Sequence, residues 1–127
     1  MNVSGWDESI VLDTGHLRGF TGGDSDLEAQ VLEIFRDSAP AYLSALKAAD
    51  AANWKGCAHK LKGAARGIGA WRLACLAERV EQDAAAATDK GLAGQHLKEL
   101  HERLQQLSEA IRVRLKDIHD AEMIDHD

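Results

Sequence analysis

The sequence predicts an all-α fold, an antiparallel four-helix bundle preceded by a short N-terminal helix, and three observations carry that prediction. The composition favours helix over sheet, with one proline, only 5% aromatic residues and abundant Ala, Leu, Glu and Lys. Apolar residues recur at three- and four-residue spacing through four separate stretches. Short polar or glycine-bearing segments divide those stretches, so consecutive helices must fold back on one another. With 127 residues, the chain is expected to form one domain, 1–127, whose core needs neither disulfide nor metal.

Each element follows in order. Residues 1–11 show no period and are expected to form a loose arm. A short helix is expected after Asp13, using Leu12, Leu17 and Phe20 and ending at Thr21-Gly22-Gly23. Ser25-Asp-Leu-Glu28 reads as a capping box, hydroxyl and carboxylate serving opposite ends of the first turn. Leu27, Val31, Ile34, Phe35, Tyr42, Leu43 and Leu46 then recur at helical spacing to about Ala49. Pro40 lies inside that stretch and should kink the helix or split it, because it removes a donor and crowds the preceding turn. Asp50 is a candidate N-cap for the next helix, which Gly67 and Gly69 stop. Trp71 opens another, to about Ala87, with Leu73, Leu76, Ala77, Val80 and Ala84 as its stripe. After the turn Thr88-Asp-Lys-Gly91, the residues Leu97, Leu100, Leu104, Leu107, Ile111, Leu115 and Ile118 form the clearest apolar seam. The acidic end, residues 119–127, is expected to fray.

Composition also excludes functions. A formal net charge of −6 is the wrong sign for a nucleic-acid binder. No apolar run approaches the ~18 residues of a membrane span. The opening MNVSGWDESI lacks the basic and apolar regions of a secretory signal. Cys57 and Cys75 have neither metal-site nor disulfide-framework spacing; they are expected to be buried reduced thiols, which suits the cytoplasm. His96 and His101, five apart, diverge on a helix, unlike the i, i+4 pairs that chelate metal. His119 and His126 lie among the acids of the tail, and His16 is expected at the surface. A monomer is the expectation.

The segment AHKLKGAARGIGA, residues 58–70, is where chemistry concentrates. On a helical wheel Trp54, Cys57, Ala58, Leu61, Ala64, Ala65 and Ile68 gather on one side, which must face the core. His59, Lys62, Gly63 and Arg66 gather opposite, with Lys55 near them, so the imidazole should point at solvent. Residues 51–68 carry four cations and no acid on an otherwise acidic chain, which favours an anionic visitor. A carboxylate beside the histidine would repel that visitor, and none is expected there.

Phosphorylation of His59 suits these residues. A neutral imidazole is an available nucleophile near neutral pH, and phosphoryl transfer depends on positioning and on neutralising the equatorial oxygens. Lys62, at i+3, can reach those oxygens; Lys60 diverges by about 100° and would have to curl round, and Arg66 is a further candidate for charge neutralisation. Gly63 costs the helix about 1 kcal/mol relative to Ala. Its bareness one turn beyond the histidine leaves room for a second domain to descend on the ring. Close helix packing would be the other use for a glycine, but Gly63 points away from the core side.

These residues resemble the signature of histidine phosphotransfer (HPt) domains, broadly A-H-x-L-K-G-[SA]-[SA]-x-x-x-G-A. Asp50, Leu73, Leu76 and Glu81 match the family's tendencies around and after the histidine helix, and Phe35, Pro40 and Leu46 its pattern upstream. The resemblance implies a phosphorelay carrier. His59 would take a phosphoryl group from an aspartyl phosphate on one receiver domain and pass it to another. Lys62 would stabilise the phosphoryl group, Gly63 give access and Gly69 help to end the helix. It implies no ATP site, in line with the lack of a P-loop, and no cofactor or metal on this chain, the required Mg²⁺ belonging to the receiver partner. Receiver docking in the family uses apolar residues around the histidine, for which Leu17 and Phe20 are candidates here, although they could instead be lids over the bundle end. The alternative function is an HPt-like module that docks receivers of a hybrid kinase or response regulator without being phosphorylated.

Overall fold

Asp13 accepts the backbone N–H of His16 at 3.0 Å and so caps α1 (Thr14–Thr21), which Gly22 ends in the left-handed region at φ +64°. The computed structural model that shows this describes residues 5–124. Leu17 is fully buried, whereas Phe20 stands outward.

α2 (Ser25–Ala48) is one continuous helix through Pro40, so the proline does not split it. Its N-cap is Asp24, whose carboxylate accepts from Leu27 N–H at 3.1 Å; the expected capping box on Ser25 and Glu28 is not formed. Glu28 instead turns inward, 3% exposed, and is gripped by Arg114 at 2.5 and 3.1 Å. A two-pronged charge-assisted pair is stronger than one return bond to a solvated N–H. The buried stripe is Leu32, Phe35, Ala39 and Leu46, and the expected Leu27 and Ile34 are exposed.

α3 (Trp54–Gly67) begins after a turn in which Asp50 accepts from Asn53 N–H at 2.9 Å. It ends where Gly69 takes φ +76° and Ala70 N–H reaches back to the Ala65 carbonyl at 2.9 Å. Gly69 is doubly required, because a Cβ there would stand 3.0 Å from the Asp13 carbonyl oxygen. α4 (Trp71–Gln82) stops earlier than expected, and a 3-10 turn over Ala84–Ala87 follows. That turn buries Ala86 and leaves Ala84 exposed. α5 (Lys90–Ile124) continues through residues 119–124, which were expected to fray; residues 125–127, with His126, lie outside the described residues.

Contacts run α2–α3–α4–α5 and back to α2, with α1 laid on α2, so the four long helices make a closed bundle. Glu28 at the start of α2 meets Arg114 near the end of α5, and His59 early in α3 meets Glu81 at the end of α4, so both pairs are antiparallel. Leu100, Leu104, Leu107 and Ile111 fill the middle against Leu61, Leu73, Leu76 and Val80. Trp54 closes one end, its indole N–H donating to the Val80 carbonyl at 3.3 Å.

The arm expected to be loose is docked over its described part, residues 5–11. Trp6 stacks on Trp71 with ring centroids 5.8 Å apart. Glu8 bridges Arg79 and Arg103, each at 2.7 Å, and the Ile10 carbonyl accepts from Arg72 N–H at 2.9 Å. Most of these contacts fall on α4, but they are a ring stack, ion pairs and a backbone hydrogen bond made by an extended segment, which is why no apolar period announces them.

Candidate functional site

Helix periodicity in α3 buries Trp54, Ala58, Leu61, Ala65 and, just past the helix, Ile68, and that turns His59, Gly63 and Arg66 outward. The His59 side chain is 65% exposed. No atom lies within 4 Å of where a Cβ on Gly63 would stand, so packing does not require glycine there. Cys57 and Ala64 are half-buried rather than buried, and Cys57 and Cys75 are both free thiols.

One expectation is overturned at this site: a carboxylate does sit beside the histidine. Glu81, from the end of α4, places Oε1 2.9 Å from His59 Nδ1 and Oε2 2.6 Å from Lys62 Nζ. The Lys62 contact is an ion pair without the alignment of a hydrogen bond. Burial works to raise the Glu81 pKa, but Lys62 and His59 together outweigh it and hold the carboxyl below its ordinary range. An ionised carboxylate accepts only, so Nδ1 is the donor of this bond, and in the neutral ring the lone pair falls on Nε2.

Lys62 is therefore not a free cation, since its side chain is largely covered and its charge is balanced by Glu81. Lys55 and Lys60 are exposed and make no ion pair among the described residues. Arg66 lies over the Trp6 ring, 5.3 Å from its centroid. Trp71, whose role the sequence left open, is half-buried and donates its indole N–H to Asp13 at 2.8 Å. His16, expected at the surface, packs edge-on against Trp71. His96 pairs with Asp83 at 2.8 Å. Leu17 is core, but exposed Phe20 and Ile34 flank a shallow apolar groove of about 250 Å³ floored by Phe35, Ala64 and Ile68.

Glu81 is the site residue that the sequence did not place. Its signal was its position on the following helix, which a tight antiparallel hairpin brings back to His59, but no spacing within α3 can report a partner from α4.

Among the described residues no helix is long and apolar enough to cross a membrane. No curated protein and no solved structure matches the chain significantly. The family model of the Hpt domain matches residues 30–121, a span that contains α3, α4, Glu81 and nearly all of the bundle. With its helical bundle and outward histidine, this chain belongs to the Hpt domain family.

Proposed function

We propose that His59 is the phosphorylated residue of a carrier that takes a phosphoryl group from a receiver-domain aspartyl phosphate and hands it to a second receiver. The observation that carries this is the imidazole itself, two-thirds exposed, with Nδ1 held by Glu81 and the bare Gly63 one turn on. In the forward step the Nε2 lone pair attacks phosphorus, the P–N bond forms, and the acyl-phosphate P–O bond breaks with its electron pair leaving on the aspartate. The proton stays on Nδ1. Glu81 stabilises the positive charge that the ring acquires, as a carboxylate behind a catalytic imidazole does. The reverse sequence delivers the group to the next aspartate.

Lys62 holds Glu81 ionised and, as the cation one turn from the ring, stabilises phosphoryl oxygens as well, so its ammonium is shared between the two. Lys60 supplies further charge neutralisation, whereas Arg66, two turns beyond His59 and laid on the Trp6 ring, stands away from the transferring group. The groove beside Phe20 and Ile34 gives the visiting receiver an apolar landing surface. No ATP site or cofactor is needed on this chain, and the Mg²⁺ of the reaction belongs to the receiver.

The test is incubation with an aspartyl-phosphorylated receiver, followed by assay for an acid-labile, base-stable phosphoryl group. Wild type should label and His59→Gln should not. Equal labelling of both would remove the assignment of His59. If a receiver binds but labels neither, the docking-only function takes its place.

A further inference from the structure

We infer that the N-terminal arm, through Trp6 and the Arg66 guanidinium that lies on it, forms part of the surface that recognises the visiting receiver. This rests on the proposed function and adds to it a recognition element from outside the Hpt match, which begins only at residue 30.

The first support is geometric. Arg66 follows His59 by seven residues, two helical turns, so it lies on the same face about 10 Å further along. Transient complexes bury about 600 Å² per partner, roughly a disc of 14 Å radius. Any domain centred on Nε2 closely enough to exchange a phosphoryl group must therefore cover Arg66 and the indole beneath it.

Charge gives the second. A receiver presenting an aspartyl phosphate is anionic where it meets His59. Lys62 is balanced by Glu81, which leaves Lys55, Lys60 and Arg66 as the cations of α3 free to answer that charge. Of these, only Arg66 is held. Its guanidinium sits 5.3 Å from the Trp6 centroid, Trp6 stacks on Trp71, and Trp71 is anchored to Asp13 at 2.8 Å. A cation held in place loses less freedom on binding than a lysine waving in solvent, so it discriminates better between partners.

The third is the way the arm is fastened. Glu8 is tied to Arg79 and Arg103, and the Ile10 carbonyl accepts from Arg72 N–H, so Trp6 is delivered to one place by the anchored residues that follow it. None of these contacts touches His59 or Glu81. The arm can thus set affinity without altering the chemistry of the ring.

The experiment separates docking from chemistry. Transfer is measured from a receiver, phosphorylated on its aspartate, at varied receiver and salt concentration. In parallel, His59 is labelled directly with phosphoramidate, a small donor that needs no docking. Arg66→Gln should raise KM for the receiver about 5- to 20-fold and flatten its salt dependence. Trp6→Leu should raise KM about threefold, with Trp6→Phe recovering most of it. In all three, kcat and phosphoramidate labelling should stay within about twofold of wild type. Unchanged KM in Arg66→Gln would overturn the inference, and that variant is exposed and independent of whether Trp6→Leu folds. A loss of phosphoramidate labelling parallel to the loss of transfer would also overturn it, placing the effect on the imidazole. Failure of wild type to label with either donor would instead bring down the parent proposal.

Discussion

At His59 the decisive contact comes from a carboxylate on a neighbouring helix. Sequence placed the imidazole outward correctly, because Ala58, Leu61 and Ala65 demand the inward side. It could not place Glu81, and without Glu81 the ring nitrogen that donates to a carboxylate was undefined. Gly63 is the residue where stability and function part most clearly. A Cβ there meets nothing within 4 Å beyond its own helix backbone, and glycine in a helix interior is less stable than most alternatives by about 0.5–1 kcal/mol. Gly63→Gln should therefore unfold at slightly higher urea than wild type, yet accept phosphoryl groups from a receiver at least roughly tenfold more slowly. Transfer at the wild-type rate would show that the bare position is not an access route.

At the scale of elements, α1 depends on one side chain. Asp13 caps the helix at His16 and anchors the Trp71 indole with its other oxygen, and the Gly69 backbone lies against it. The bond from Trp71, then that from His16 N–H, holds its pKa below the ordinary value. A depressed folded pKa gives stability that is complete above the ordinary carboxylate range and lost as pH falls through the folded value. Asp13→Ala should cost about 1–2 kcal/mol at neutral pH by urea denaturation. The gap to wild type should narrow toward about pH 2, and a gap that stays constant with pH would contradict the role given to the ionised carboxylate. The helix after Asp13 and the stop at Gly69 were both legible, as glycine and a capping acid are local signals. That the two meet was not.

Across the whole molecule, α2 and α5 are joined by Glu28 and Arg114, a pair that spans the bundle from a position read as a cap. Glu28 is 3% exposed, so removal of its partner strands a carboxylate away from water. Arg114→Ala should destabilise by about 3 kcal/mol, well beyond an exposed ion pair. Chemical denaturation measures this, and a change below about 0.5 kcal/mol would reduce the pair to an ornament of the surface. The arm shows the same limit of sequence patterns. Trp6, Glu8 and Ile10 all dock on α4, Glu8 reaching α5 as well, through a ring stack, ion pairs and a backbone bond rather than a repeating apolar contact. Their order therefore carries no period, and a segment that looked unstructured is fastened at three points.

By itself the sequence determined the helical bundle, the seam of α5 and the outward histidine, since each follows from spacing or residue type within single helices. Its resemblance around His59 pointed to the family that the match over residues 30–121 bears out. Tertiary structure alone decided that Glu81 holds the imidazole, that Lys62 is already partnered, that Glu28 is a bolt and that Trp6 lies under Arg66. The physical reason is range. Periodicity and capping act between neighbours a turn apart, whereas ion pairs and ring stacks join whatever the packed helices bring within a few ångströms.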